Sequence, residues 1–315
     1  MNTAATLEMN NATVVFGSGA TRHSVLDRVS LLVRPGEFVS LIGPSGCGKS
    51  TVLNVFAGFV RCVAGTATLD SRAITRPGPD RSVVFQQYSL FPWLNVQRNV
   101  EYGLRALGVS RRVRAAKALR LLEHAGLAQY ADRYPDQLSG GMKQRVGIIR
   151  AFATDPRVLL MDEPFSALDA QTRSTMQQLL TRIWEEHRIS VLFVTHDVEE
   201  AVFLSDRVFV MSAAPGRVLR ELSVALPRPR DADLVDTAAF LEHVHEIRVL
   251  VRREGLVGIG ESPAGATHGE DLPEELELEQ VLRALLRREG LVGISESPAG
   301  TTHGEDLPEE LERVL

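Results

Sequence analysis

A glycine-rich segment, GPSGCGKST at residues 43–51, is the part of the chain whose residue types indicate the most specific chemistry. It matches Gly-x4-Gly-Lys-Ser, follows the apolar run Phe38–Ile42 and precedes an apolar-periodic helix at 51–59, which is the context that a phosphate loop requires. Glycines let backbone N–H groups turn inward toward phosphate oxygens, and the helix start adds the positive end of its dipole. The segment therefore predicts a site for nucleotide phosphates and Mg²⁺, which kinases, G proteins, helicases and transport ATPases would share.

The residues of this loop have different expected roles. Lys49 is expected to reach the β- and γ-phosphates, and the Ser50 hydroxyl is expected to bind Mg²⁺. A helix start lowers thiol pKa values in some proteins, but this chemistry needs no thiol, so Cys47 is interpreted as a passive loop residue. The candidate nucleotide contacts in the loop are Gly43, Pro44, Ser45, Gly46, Cys47, Gly48, Lys49, Ser50 and Thr51.

Two adjacent carboxylates, Asp162 and Glu163, close the apolar run VLLMDE. Asp162 is placed to hold the Mg²⁺ shell through water, and Glu163, which points in another direction, is placed to polarise the water that attacks the γ-phosphate. A solvated strand end is the alternative for an isolated Asp-Glu pair, and the phosphate loop in the same chain disfavours it.

The segment LSGGMKQR at 138–145 predicts a second anion site at a helix start, formed by Ser139 and the amides of Gly140 and Gly141. One ATP does not need two such sites in one chain. Two copies arranged head to tail, each closing the ATP of the other, are therefore the natural assembly. A helix N-cap followed by a flexible Ser-Gly-Gly is the alternative.

Strands alternate with helices along most of the chain, which predicts an α/β fold with a mostly parallel sheet. Helices at 96–107, 110–125 and 141–154 are expected to form a helical insertion over about 96–156. Strands are expected at 14–16, Phe38–Ile42, 83–85, 158–161, Ser190–Val194 and Arg207–Met211, and further helices at 170–186 and Val198–Leu204.

Charge and repetition distinguish a C-terminal tail from the body. The formal net charge is −5, but residues 252–315 hold 6 Lys+Arg against 15 Asp+Glu, which leaves the remainder slightly basic. The proline-containing LPRPR at 226–230 predicts a boundary, with one domain at 1–230 and an acidic helical tail at 231–315. The tail holds a near-identical repeat, 252–277 and 287–312. Two copies are too few for a solenoid, so we expect a dispensable tail.

Cysteine content and hydropathy predict a soluble protein of the reducing cytosol. Only Cys47 and Cys62 are present, too few for a disulfide framework. The N-terminal segment has no secretory pattern, and no apolar run approaches the ~18 residues of a membrane span. The mild net charge does not predict a general nucleic-acid binder.

Taken together, these segments resemble the ATP-binding subunits of ABC transporters over residues of about 7–230. That resemblance implies a P-loop NTPase core with a mostly parallel sheet, an antiparallel β part near the N-terminus and a helical insertion. It depends on six motifs in order: GPSGCGKST, VFQQ at 84–87, LSGGMKQR, VLLMDEP at 158–164, SALD at 166–169 and VTHD at 194–197.

The resemblance also implies roles for four further residues. Gln86 would contact Mg²⁺ or the attacking water, and Asp169 would organise the dimer interface near the opposite phosphate loop. His196 would contact the γ-phosphate, although an isolated histidine after a strand is more often structural. Phe16 would stack on adenine, with simple strand packing as its alternative.

Within the family, the chain is most similar to the nitrate/sulfonate/taurine importer branch, on stretches such as LFPWLNV at 90–96 and YPDQLSGGMKQR at 134–145. The implied partners are a second copy of the chain, integral-membrane permease subunits and, indirectly, a substrate-binding protein, with no nucleic acid. The implied location is the cytoplasmic face of the membrane. An apolar surface after Gln86 is the expected docking patch, with core packing as its alternative: Tyr88, Leu90, Phe91, Trp93 and Leu94.

Three other functions are weighed against this one. A soluble ABC-type ATPase acting on DNA or ribosomes would usually show paired cassettes, coiled-coil insertions or strong basic patches. LSGGMKQR and VTHD argue against a P-loop kinase or a small GTPase. The intact set Lys49, Asp162, Glu163 and His196 argues against a regulatory adaptor with degraded catalysis.

Overall fold

The computed structural model describes residues 4–87 and 89–260, and its elements alternate between strands and helices. The strands are β1 (Leu7–Phe16), β2 (His23–Val33), β3 (Phe38–Ile42), β4 (Ala64–Leu69), β5 (Arg72–Ala73), β6 (Arg81–Val84), β7 (Val158–Asp162), β8 (Ser190–Val194), β9 (Arg207–Met211) and β10 (Val218–Ser223). The α-helices are α1 (Lys49–Ala57), α2 (Val96–Ala106), α3 (Arg111–His124), α4 (Gly140–Ala153), α5 (Ala170–His187), α6 (Val198–Leu204) and α7 (Ala238–Gly260).

A six-stranded sheet in the order β10-β9-β3-β8-β7-β6 forms the centre of the structure. The five strands from β9 to β6 are parallel to one another, and β10 pairs antiparallel at one edge. Every residue of β3, β8 and β9 is buried, because helices cover both faces of a parallel sheet and its strands become continuous apolar runs. The mostly parallel sheet predicted from the sequence is confirmed.

A second, antiparallel sheet of four strands, in the order β2-β1-β4-β5, contains the N-terminal part of the chain. β1 covers ten residues, whereas the sequence predicts only 14–16 as a strand there, and β2 is absent from the predicted strands. Register shifts in the β1–β2 pairing follow Met9, and Asn11 adopts a positive φ of 46°. These irregularities break the two-residue alternation of apolar side chains by which a strand is recognised.

Two hydrophobic cores lie on the two faces of the parallel sheet. Side chains of β3 alternate between them: Phe38 and Ile42 join the core with the helical insertion, and Val39 and Leu41 join the core with α1 and the antiparallel sheet. This alternation follows from the period of two residues in a strand. The strand that precedes the phosphate loop is therefore held from both faces.

Helices α2, α3 and α4 form the helical insertion, as the sequence predicts, and their apolar faces join one core with the sheet. Among the described helices, none has both the length and the apolar character that crossing a membrane requires.

The packed unit continues past Arg230, where the sequence places a domain boundary. Arg230 is buried, and its guanidinium donates to the carbonyl oxygens of Val202, Phe203 and Ser205 at 2.9–3.0 Å. Farther on, α7 contributes buried apolar side chains to the same core as the helical insertion. Residues 231–254 therefore belong with the body in packing. The repeat lies almost entirely outside the described residues.

The packing of α7 predicts unequal effects for two neighbouring substitutions. Phe240 is 1% exposed, whereas Leu241 is 52% exposed. We expect Phe240→Ala to lower the free energy of unfolding by about 3–5 kcal/mol, because it removes a buried ring and leaves a cavity. Leu241→Ala should change that free energy by less than about 0.5 kcal/mol. Denaturant unfolding followed by circular dichroism measures both, and equal effects would contradict the docking of α7.

Candidate functional site

The phosphate-loop segment connects β3 to α1 and curls around its own lysine. Gly48 caps α1 with a φ of +95°, and a Cβ at this position would lie 2.7 Å from a side-chain carbon of Leu26. Lys49 is 7% exposed, and its ammonium donates to the carbonyl oxygens of Gly43 and Pro44, both at 3.0 Å. The charge of Lys49 is therefore positioned inside the loop by backbone groups.

The remaining residues of the phosphate loop differ in how far they are exposed to solvent. Cys47 is fully buried, and burial raises the pKa of its thiol although the charge of Lys49 acts in the opposite direction. Its side chain packs in the core, as expected of a passive residue, and only its backbone remains a candidate contact. The loop residues that are exposed are Ser45, Gly46 and Ser50, and Pro44 and Thr51 are half-buried.

The carboxyl ends of four parallel neighbours, β3, β8, β7 and β6, lie at one edge of the sheet. Each is followed by a predicted site residue: Lys49 after β3, His196 after β8, Glu163 after β7 and Gln86 after β6. Ligands of open parallel sheets bind outside this edge. The fold thus brings together candidates that are separated by more than 100 residues in sequence.

Glu163 and His196 are in direct contact. Nδ1 of His196 lies 2.9 Å from Oε2 of Glu163, and a carboxylate only accepts, so Nδ1 carries the proton of this bond. Glu163 has a positive φ of 41°, and its N–H donates to the carbonyl oxygen of Val194 at 2.9 Å. A non-glycine residue in this region of φ is strained, and such strain is common at functional sites.

Ser139 and Asp169 begin neighbouring helices. Ser139 caps α4, where its Oγ accepts from the N–H of Met142, and Asp169 caps α5, where its carboxylate accepts from the N–H of Thr172 at 3.0 Å. A Cβ on Gly141 would lie 2.6 Å from the methyl carbon of Thr172, so the two caps lie side by side. The hydrogen bonds from Thr172 hold the pKa of Asp169 below its usual value.

Gly140 and Ser139 are exposed, as is Asp169, and Gly141 is half-buried. The caps therefore present an anion-binding helix start and a carboxylate on the surface of the protein.

The predicted adenine contact Phe16 is the last residue of β1. It is half-buried, and its ring centroid lies 6.2 Å from that of His23. Gln86 is exposed in the segment after β6.

Oxygen donors that suit Mg²⁺ lie at the same sheet edge. Ser50 is in the first turn of α1, Asp162 ends β7, and α1 packs against β7. Hydroxyl, carboxylate and amide oxygens are the hard ligands that Mg²⁺ takes, usually together with substrate phosphates. Within the described ranges, no group of three or more His, Cys, Asp or Glu side chains could hold a metal ion. The donor set fits an ion that shares its ligands with a nucleotide.

Four residues of the site were not identified from the sequence. Gly216 backs the phosphate loop, since a Cβ there would lie 2.0 Å from the carbonyl oxygen of Cys47. Arg173, Thr195 and Glu200 line a small cavity together with Glu163 and His196. The available signal in the sequence was that Thr195 directly precedes His196 and that Glu200 follows it by four residues, in the segment THDVEE.

Comparison with known proteins gives consistent similarities. The family model described as "ABC transporter" matches residues 26–166. The chain is 49% identical over 253 residues to the taurine import ATP-binding protein TauB of Rhizobium johnstonii, covering 78% of this chain and 96% of TauB. It is 44% identical over 252 residues to the nitrate import ATP-binding protein NrtD of Synechocystis, covering 78% of this chain and 95% of NrtD.

A solved structure is also similar. It is a dimeric ATP-binding cassette in a post-hydrolysis state, bound to ADP and Pi, with 34% identity and a TM-score of 0.62. The match covers 70% of this chain and all of that one. The architecture described above is thus that of a nucleotide-binding cassette.

The position of the Lys49 ammonium predicts the effect of removing it. Lys49→Ala should weaken ATP binding by at least about tenfold, because one close charge–phosphate interaction contributes more than about 1.4 kcal/mol. Lys117→Ala, which removes a lysine paired with Asp155 on the helical insertion, is the control and should leave the affinity unchanged. Titration with a fluorescent ATP analogue measures both. Unchanged affinity in Lys49→Ala would contradict the phosphate-loop assignment.

Proposed function

The chain belongs to the ATP-binding proteins of ABC transporters, and from that premise we propose that it is the motor of an importer for a small anion such as taurine, another sulfonate or nitrate. As a member of this family it hydrolyses ATP to drive transport. The main support for the catalytic roles proposed here is the hydrogen bond between Glu163 and His196, which lies at the carboxyl edge of the sheet beside the phosphate loop.

Glu163 is the general base in this proposal. Its carboxylate takes the proton of the attacking water, and its backbone is held by the end of β8 through the carbonyl oxygen of Val194. His196 orients Glu163 through Nδ1, which leaves Nε2 as the ring nitrogen for the γ-phosphate. Lys49 neutralises charge on the β- and γ-phosphates, and Phe16 offers a ring face to adenine.

Mg²⁺ is part of the proposal, with Ser50, Asp162 and Gln86 as the residues that would hold it. When bound, the ion supplies charge neutralisation between the phosphate oxygens. The three side chains would supply oxygen ligands from the end of β7 and from the segments that follow β3 and β6, so the rigid sheet would set their spacing.

A dimer of two copies is supported by the surface position of Ser139 and Asp169. Both are exposed and use their oxygens to cap their own helices. The start of α4 therefore faces outward with unpaired helix N–H groups and can meet the γ-phosphate bound by a second copy. The similar cassette is itself dimeric.

The segment after Gln86 is the proposed docking patch for permease subunits. Trp93 is 57% exposed, and Phe91 contacts it at a ring distance of 5.6 Å. Buried Asn99 of α2 fixes this segment, because its amide accepts from the N–H of Phe91 and donates to the carbonyl oxygens of Phe91, Leu94 and Asn95. Leu90 packs against the core, and Tyr88 lies outside the described residues. The patch thus combines an exposed aromatic with a rigid backbone.

The relatives support the proposed cargo and location. TauB and NrtD are named for taurine and nitrate import, and the chain covers at least 95% of each of them. Taurine carries a sulfonate group and nitrate is an oxyanion, and in this proposal the permease and the binding protein contact the cargo, not this chain. We place it at the cytoplasmic face of the membrane, bound to its permease and served indirectly by a substrate-binding protein. A soluble ABC-type ATPase without a transporter is not favoured by these relatives.

Replacing the base tests the catalytic assignment. Glu163→Gln keeps the size of the side chain but cannot take a proton, so we expect kcat for ATP hydrolysis to fall by at least about a hundredfold. ATP binding should persist, and an ATP-bound dimer should accumulate in size-exclusion chromatography.

The matched control is Glu186→Gln, on an exposed part of α5. It should hydrolyse ATP at the wild-type rate. If Glu163→Gln also kept a rate near that of wild type, another residue would be the base.

A reconstituted complex tests the cargo. With permease subunits and a substrate-binding protein of this importer branch reconstituted in proteoliposomes, one of taurine, an alkanesulfonate or nitrate should stimulate ATP hydrolysis several-fold, since transport couples the two. Chloride is the control anion. Equal rates with all four compounds would contradict import of a small sulfonate or nitrate.

A further inference from the structure

The side chain of His196 is 60% exposed, so packing does not determine its direction. Its hydrogen bond to Glu163 requires the ring to be aimed correctly, and a few tenths of an ångström decide whether Nδ1 reaches Oε2. The direction of the ring must therefore come from the backbone at 195–197. Both neighbours of His196 are firmly held in this structure.

Thr195, on one side of His196, is held by a buried carboxylate. Its Oγ1 donates to Oε2 of Glu200 at 2.5 Å and accepts from the N–H of Asp197 at 3.0 Å. Its own N–H donates to the carbonyl oxygen of Leu41, the residue before the end of β3. Thr195 is 2% exposed and Glu200 is 4% exposed. The Thr195 hydroxyl thus closes a turn around His196, and Glu200 fixes that hydroxyl.

Asp197, on the other side, is held by the first turn of α6 and by α5. Its Oδ1 accepts from the N–H groups of Glu199 and Glu200 at 2.9 and 3.2 Å. Arg173 approaches Oδ2 at 3.5 Å and donates to the carbonyl oxygen of Leu168 at 3.0 Å. The turn around His196 is therefore also connected to the segment that precedes the Asp169 cap.

We propose that Glu200 is a positioning residue for ATP hydrolysis: through Thr195 it fixes the turn that aims His196 at Glu163. This inference depends on the function proposed above and extends it to a buried carboxylate that contacts the Thr195 hydroxyl. Glu200 acts only through Thr195 and is not a catalytic residue.

The hydrogen-bond pattern requires a carboxylate at position 200. Oε2 accepts from Thr195 and Oε1 accepts from Nε2 of Gln177 at 3.3 Å, so both oxygens are acceptors. A glutamine has one acceptor oxygen and one donor NH₂ group, so only one of the donors Thr195 and Gln177 would find an acceptor. A protonated glutamate would likewise turn one of its two oxygens into a donor. Glutamine at this position therefore imitates the protonated state of Glu200.

Burial makes that protonated state accessible near neutral pH. Burial raises the pKa of Glu200 to about 7, and the neighbouring charge of Asp197 adds to this, whereas the hydrogen bonds from Thr195 and Gln177 and the charge of Arg173 oppose it. Glu163 and His196 line the same cavity. As the pH rises through about 7, Glu200 ionises, both acceptors become available and the turn is fixed.

The first test removes the Thr195 hydroxyl with little change of shape. Thr195→Val should lower kcat for ATP hydrolysis by about ten- to a hundredfold, with the KM for ATP within about twofold of wild type, because only orientation is lost. Thr195→Ser keeps the hydroxyl and should restore kcat to within about threefold. Glu199→Gln, next to Glu200 but exposed and facing Arg248, should leave both parameters unchanged.

The second test is the pH profile of Glu200→Gln. The wild-type kcat should rise across pH 6–8 on a limb centred near 7, and Glu200→Gln should stay at the low rate without that limb. A profile of Glu200→Gln that matches wild type would overturn the proposal. So would a joint change of kcat, KM and thermal stability that Thr195→Ser does not rescue, since that pattern indicates only a structural contribution.

A spectroscopic measurement separates this proposal from the proposed function. The ¹⁵N chemical shifts of the His196 ring, assigned with His196→Asn, report its hydrogen bond to Glu163 without any turnover. They should change in Thr195→Val and Glu200→Gln but not in Glu199→Gln, and unchanged shifts would overturn the positioning role.

If Glu163→Gln abolishes hydrolysis while Thr195→Val does not affect it, only the positioning role fails. If Glu163→Gln hydrolyses ATP normally, the proposed base is wrong, and the ¹⁵N shifts still decide whether Glu200 positions His196.

Discussion

The pairing of Val194 with its two neighbouring strands is the constraint on which the site depends. Val194 is opposite Leu41 in β3 and opposite Asp162 in β7, so the ends of three parallel strands are level. Its carbonyl oxygen accepts from the N–H of Glu163. A shift of one residue in either pairing would reverse the faces of the strand. The same register that buries the core therefore also places the phosphate loop, Glu163 and His196 at one edge.

Local motifs explain how much of this arrangement the sequence predicts. The phosphate loop, the Asp162–Glu163 pair and the Ser139 segment are contiguous, and each adjoins an apolar run whose secondary structure is evident. The parallel sheet follows from the alternation of strands and helices, and the level strand ends follow from the parallel sheet. The sequence therefore places Glu163 and His196 at the same sheet edge, but it does not predict the hydrogen bond between them.

Other features depend on contacts between distant residues and could not be predicted in the same way. Glu200 belongs to a seven-residue helix, too short for its periodicity to show which face is buried. Its partner Gln177 is 23 residues away. The segment that ends at Arg230 is predicted to be a linker because it contains two prolines, yet the guanidinium of Arg230 caps the carbonyl groups at the end of α6. Charged residues are usually exposed, so their burial is the hardest feature to predict.

The docking of α7 on α6 has a practical meaning for protein engineering. Ile247 is the last fully buried apolar residue in the described part of the chain, and Arg248 pairs with Glu199 of α6. An affinity label or fluorescent reporter joined after Arg253 would therefore retain every buried apolar side chain that the structure describes for that helix. A junction at Arg230 would instead remove α7, which packs against α6, the helix that follows His196. The choice of junction therefore decides whether a fusion disturbs the catalytic edge of the sheet.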